Sequence, residues 1–317
     1  MRASRTSSQV RAALTVLPRT VLMLILMVLA GCATTLSVPS ARVEGVPFHT
    51  QTDLQCGPAA LASLLQVAGL PTGVPTLSQW MFTPGLGGSL QQDLLGAARR
   101  AGALPVRIAG DLSGLQSQLA HGRPVLVLEN LALPQWPQWH YAVVTAIDAQ
   151  TRTVTLGGPD GESQSVSARQ FARAWRFADG WAIVVLRPGD SPAGLRPADY
   201  LDAVAAFEAI GNLDVAARGY DAGLRQWPAH PDLHFGAGNV ALTRGQLDLA
   251  ASHYQQVLAV QPQDVAALNN LAEVRRRQGD LVEAAQLAQR ALQLAVGAPL
   301  RDAVEDTLRQ ISCGAHC

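Results

Sequence analysis

Of the four cysteines in this 317-residue chain, one stands in a setting suited to nucleophilic chemistry. It lies in Gln55-Cys56-Gly57-Pro58-Ala59, followed by an apolar run over 59–65. Cysteine attacks as the thiolate, and a helix N-terminus favours that anion through its unpaired N–H groups and its dipole. Gly57 lets backbone and substrate approach closely, Pro58 suits the first helical turn, and the apolar run buries the rest of the helix. The residues therefore predict a helix opening at Cys56, with a backbone amide placed to donate to a tetrahedral oxyanion. The chemistry is acyl transfer through a thioester. It needs a base close in space though not in sequence.

Three histidines in the front half compete for that role. His121 precedes Gly122 at an expected helix end, where a cationic side chain favours the dipole. His49 lies seven residues before Cys56 and reads as a surface or groove residue. His140 opens the hydrophobic strand His140-Tyr141-Ala142-Val143-Val144. A titratable group at the edge of a buried strand costs stability unless it is satisfied, and catalysis accounts for that cost. Trp136 and Trp139, just before it, read as packing residues, with a wall for a peptide groove as the alternative.

These motifs carry a family resemblance. The stretch Val46-Pro47-Phe48-His49-Thr50-Gln51-Thr52-Asp53-Leu54-Gln55-Cys56-Gly57-Pro58-Ala59-Ala60-Leu61-Ala62 resembles the active-site region of double-glycine leader peptidases, the papain-like domains of bacteriocin exporters. Residues 140–148 resemble their histidine strand. The likeness covers about 43–188. It implies an α+β papain-like cysteine peptidase domain with Cys56 as nucleophile, His140 as general base and acid, and Gln51 as oxyanion donor. Gln51 lies five residues before the cysteine where related peptidases often have six, so Gln55 is the alternative. The family's orienting aspartate sits in an Asp-Pro pair after the next strand. This chain reads Leu156-Gly157-Gly158-Pro159-Asp160 there. Asp160 can substitute from two positions on, or Asp160-Gly161 can be an ordinary turn. No transporter domain and no phosphate-binding Gly-x-x-x-x-Gly-Lys motif follows, so a bacteriocin precursor is not assumed as substrate.

The elements that would position these groups can be read from pattern. Residues 57–67 form a helix. Ser89 with Gln92 makes a capping box for a helix reaching Arg100, and 112–120 form a short helix. Strands are expected over 124–128 and 181–186, a hairpin over 140–147 and 151–156, and a helix capped by Ser167 with Gln170. Behind them a repeat of 34 residues sets in: Gly211-Asn212-Leu213-Asp214, Gly245-Gln246-Leu247-Asp248 and Gly279-Asp280-Leu281-Val282, with Ala217, Ala251 and Ala285 at a fixed offset. Glycine turns, small residues where helices cross, and Pro228 and Pro262 closing two units resemble the tetratricopeptide repeat. An apolar stripe at Leu300, Val304, Leu308 and Ile311 suits a capping helix.

The N-terminus reads as an address. Arg2, Arg5, Arg11 and Arg19 precede an apolar stretch over 21–30, which rises only about 15 Å as a helix and is too short to span a bilayer. Leu29-Ala30-Gly31-Cys32 resembles a bacterial lipobox, which implies lipidation at Cys32. Ala33 after it favours the outer membrane, facing the periplasm. The expected division is 1–31 signal peptide, 32–42 lipidated start and tether, 43–188 papain-like domain, 189–196 linker, and 197–317 an all-α solenoid of three repeats with a capping helix.

Composition narrows the partners. Hydrophobic residues make up 48% and charged residues 15%, and 24 basic residues balance 24 acidic ones. No concentrated basic face is available for nucleic acid. No cofactor or metal is expected. Cys313 and Cys317 can form a local disulfide in an oxidising compartment or remain two thiols on the tail. The expectation is a lipid-anchored periplasmic cysteine peptidase acting on an exported peptide or protein, with the repeats recruiting substrate or a protein partner. Two alternatives stand beside it: a catalytically weak scaffold in an envelope complex, and an acyltransferase using the same thioester.

Overall fold

The computed structural model describes residues 38–50, 55–81, 89–295, 297 and 300–314. The front half is one antiparallel sheet with helices on both faces. Its strands are β1 (Ala41–Arg42), β2 (Leu104–Arg107), β3 (Val125–Asn130), β4 (Trp139–Asp148), β5 (Thr153–Gly157), β6 (Ser163–Ser167) and β7 (Ala182–Leu186), in the order β2-β7-β3-β4-β5-β6, with β1 paired to β4. Helices α1 (Cys56–Val67), α2 (Val74–Met81), α3 (Gln91–Arg100), α4 (Leu112–Ala120) and α5 (Ala168–Arg176) cover it.

Strand alternation sorts the core into two layers. Leu126, Leu128, Tyr141, Val143, Ile183 and Val185 face α1, α2 and α3, where Leu61, Leu64, Leu65, Leu77, Met81 and Leu94 are buried. Val125, Val127, Ala142, Val144, Ala182 and Val184 face the other way, against Leu115 and Leu119 of α4 and Phe171 and Trp175 of α5. Helix α1 is buried on every residue from Gly57 to Leu65, as an all-round apolar helix must be.

The pattern-based expectations differ from the structure at one helix cap and lack four elements, α2, β1, β2 and β6. The helix expected from a Ser89 capping box starts at Gln91, with Leu90 as N-cap and no side-chain bond. The Ser89 carbonyl accepts from the Tyr141 hydroxyl at 3.2 Å. Strands β2 and β6 escaped notice because β2 is only four residues long and β6 is a polar edge strand exposed at Ser163, Gln164 and Ser165. By contrast Ser167 caps α5 by accepting from the Gln170 amide at 3.2 Å.

The rear half is α6 (Pro197–Ala209), α7 (Leu213–Gln226), α8 (Pro231–Thr243), α9 (Leu247–Val260), α10 (Val265–Gln278), α11 (Leu281–Leu294) and α12 (Leu300–Gly314). The three repeat glycines, Gly211, Gly245 and Gly279, have φ of +77°, +72° and +87°, the left-handed turn between helices that a side chain disfavours. The two halves are not separated by a loose hinge. Tyr200, Val204 and Phe207 of α6 lie in the same core as Val106 of β2 and Val184 of β7. The connecting strap is fastened too: Arg123 donates to the carbonyls of Ser191 and Ala193, and Gln118 to that of Gly194 at 2.7 Å. No helix among the described residues is long and apolar enough to cross a membrane.

Candidate active site

Cys56 is the first residue of α1 and half-buried. Its N-cap, Gln55, makes no side-chain bond to the first turn, so that turn's N–H groups are not capped from Gln55. Pro58 removes one of those donors without loss. Next to Cys56 stands Tyr141. Burial first, then the negative charge available at Cys56 and Asp93, raises its phenol above the ordinary range. The space is tight: a Cβ at Gly57 would lie 3.1 Å from the Ser89 hydroxyl and 3.2 Å from the Met81 methyl.

Cys56 opens onto a cavity of about 1360 Å³ whose walls include Glu129, His140 and Tyr141, with Phe171, Arg173 and Phe177 opposite. His140, the second residue of β4, is half-buried, and desolvation lowers its imidazole below the usual range. The two reactive groups enter from different sides. Tyr141 alternates with His140 and faces α1, whereas His140 follows Ala142 and Val144 onto the α5 side. They share the cavity at the end of β4. Among the described residues no hydrogen bond joins them, an arrangement common in unliganded sites, where such bonds tighten with substrate.

The other histidines are elsewhere. His121 is exposed at the C-terminus of α4, its Nδ1 2.7 Å from the Ser117 carbonyl. His49 lies against Ala59, Ala60 and Ser63 of α1, with a buried Nε2 that has no partner, so it is less superficial than its sequence position implies. Asp160 is exposed and its Oδ1 accepts from the Glu162 amide at 3.0 Å, which commits the carboxylate to its own turn. Pro159 lines the cavity; Asp160 and Gln55 do not. Gln51 and Cys32 lie outside the described residues, as does Cys317, while Cys313 is exposed on α12. Among the described residues no group of three metal-ligating side chains occurs.

Sequence reasoning missed Glu129, which β3 places directly across from His140. It is 3% exposed, and burial pushes its carboxyl up to about 7. The signal was visible as a lone acid at the end of the apolar run Val125-Leu126-Val127-Leu128, but its meaning depends on strand register. Trp136 and Trp139 also differ from expectation: they are 74% and 53% exposed, so they are not core packing. Their loop is nonetheless held, because Asn130 Oδ1 accepts from the amides of Ala132 and Gln138 at 3.1 and 3.0 Å.

On the repeats, a second polar array runs between helices. Glu208 accepts from the Tyr220 hydroxyl at 2.5 Å and from Asn239 at 3.3 Å, and Asn239 Oδ1 accepts from Tyr254 at 2.9 Å and Asn270 at 3.2 Å. Glu208, Asn239 and Asn270 follow one another at intervals of 31 residues on α6, α8 and α10.

A cysteine at the start of a buried helix, a histidine on a strand of an antiparallel sheet and a helical-hairpin solenoid behind them define an α+β papain-like domain followed by a repeat solenoid. Residues 43–183 are a Peptidase_C39-like domain, matching the Peptidase_C39 like family, and residues 201–255 and 237–299 match the tetratricopeptide repeat. No curated protein matches the chain. Solved structures similar to it include the type III secretion translocator chaperone SycD of Yersinia enterocolitica, at 20% identity, with 37% of this chain and 84% of that one covered and a TM-score of 0.35. A tetratricopeptide domain of Spaghetti bound to an HSP90 peptide matches at 19% identity, covering 41% and 98%, with a TM-score of 0.36. The Sgt2 tetratricopeptide domain of Aspergillus fumigatus matches at 19% identity, covering 38% and 78%, with a TM-score of 0.35.

Proposed function

We propose that this protein is a cysteine peptidase of the bacterial envelope, lipid-anchored through Cys32, that cleaves an exported peptide or protein recruited by its repeats. The observation that carries this reading is the shared cavity of Cys56 and His140, with Cys56 at an uncapped helix start. In the reaction His140 takes the Cys56 proton, the sulfur adds to the scissile carbonyl, and the oxyanion is met by first-turn N–H groups and by Gln51. His140 then returns the proton to the leaving amine, and water resolves the thioester. The exposed Trp139 at the mouth gives a peptide an apolar wall. The repeats supply further reach, since solenoids of this kind present extended surfaces to polypeptides.

The scaffold alternative is favoured by one observation, the withdrawal of Asp160 into its own turn. A thiol-directed papain-type inhibitor separates the two. Peptidase chemistry predicts selective labelling of Cys56 in a soluble form of the protein, slowed by His140→Ala. Labelling no faster than that of free cysteine at neutral pH would leave the scaffold. Hydrolysis and transfer to an amine share the thioester, and adding an amine nucleophile to the assay distinguishes them by product. Mass spectrometry of the mature N-terminus tests the lipid on Cys32.

A further inference from the structure

We propose that Glu129 is the positioning residue for His140, holding the imidazole in place and facing its charge when Cys56 is deprotonated. This rests on the peptidase reading and supplies the orienter that Asp160 does not provide. Glu129 and His140 are partners in the β3–β4 register. Directly opposed residues of antiparallel strands carry their Cβ atoms about 4.5–5.5 Å apart on one face, within reach of two long polar side chains. Their common face is fixed twice over: Glu129 continues the row of Val125 and Val127, and His140 the row of Ala142 and Val144. Both line the cavity onto which Cys56 opens.

Burial makes the placement meaningful. A carboxyl 3% exposed after the apolar run Val125–Leu128 is unfavourable unless something there uses it. The facing α5 wall is mostly apolar, with Phe171, Ala174 and Phe177. The other charged side chains around the cavity are Arg173, stacked over the Phe177 ring, and Asp179. Desolvation moves the pair in opposite senses, Glu129 up to about 7 and His140 below its usual value, so both rest neutral in slightly acidic solution. Above pH 7 Glu129 carries its charge. The Cys56 S–H bond then breaks as an N–H bond forms on His140, and the resulting imidazolium is hydrogen-bonded through its other nitrogen to the Glu129 carboxylate. No further reagent is needed.

The test is the rate of Cys56 alkylation by iodoacetamide against pH, in the full chain without its N-terminal 31 residues. Wild type, Glu129→Gln, Glu129→Asp, Asp160→Asn and His140→Ala are compared, each checked for native circular dichroism. The expected result is a rate rising through pH 7 in wild type. Glu129→Gln loses that rise and runs at least about tenfold slower at pH 8, within the range positioned proton-transfer groups supply. Glu129→Asp recovers part of the rate, and Asp160→Asn matches wild type. A Glu129→Gln profile that superimposes on wild type overturns the proposal. So does a uniform slowing with unchanged pH dependence, which marks a merely structural role. If wild type itself reacts no faster than free cysteine and is indifferent to His140→Ala, the peptidase reading falls first and takes this one with it.

Discussion

The repeat solenoid and the sheet domain store their information differently. In the solenoid, contacts join helices one or two apart in sequence, so a 34-residue period declares the structure by itself. In the sheet domain, Cys56, Glu129 and His140 arrive from three separate elements and meet only when α1 and the β3–β4 register are in place. These two regimes overlap just past the linker expected over 189–196. Helix α6 opens the solenoid, yet its Tyr200, Val204 and Phe207 complete the core beneath β2 and β7. The first repeat therefore belongs structurally to the domain it follows.

That comparison breaks most visibly at Phe207. Phe207→Ala should lower stability by about 3–5 kcal/mol, and urea unfolding should show sheet-domain fluorescence and helical signal lost together. Ile311→Ala, in the terminal helix, should instead fray the last repeat and leave Cys56 labelling untouched. If both substitutions unfold the two regions independently, the shared core has no energetic meaning.

A smaller effect concerns pH. Glu129 rises from 4.5 to about 7 on folding, so the unfolded chain loses its proton first. Stability should be highest below pH 4.5 on this account and fall by about 3 kcal/mol as pH rises to 7. His140 opposes this, since its lowered value withdraws stability as pH falls below 6.5. Glu129→Gln should flatten the fall between pH 4.5 and 7 in urea titrations, and an unchanged slope would refute the burial of that charge.

Arg123→Ala should cost about 1–3 kcal/mol, because it frees the strap carbonyls of Ser191 and Ala193, and limited proteolysis should then cut within 189–196. The smallest change is Gly245→Ala, about 1 kcal/mol for forcing a side chain into φ of +72°, read as a lowered melting temperature.

The sequence disclosed what local physics controls. Cys56 at a helix start followed from Pro58 and the apolar run, and the repeats from glycine and alanine spacing. It concealed what register controls. The family resemblance points to Asp160, after the strand that follows His140, but the residue that pairs with His140 across the sheet is Glu129, eleven positions before it on another strand. The Ser89 capping signal also failed, since the helix starts at Gln91 with Leu90 as its N-cap. Four-residue β2 and polar β6 carry too little hydrophobic period to be recognised alone.

The pairing of β1 also sets where the preceding chain joins the sheet. Ala41 and Arg42 lie beside Ile147 and Ala146, at the far end of β4 from His140. Seven residues of strand separate the two ends, about 24 Å. A protein held by the chain that precedes β1 is gripped at its heel. With a tether there, the mouth, with Trp139 on its rim, would point away from the point of attachment, and the tether would set the distance from the anchoring surface at which a polypeptide is met.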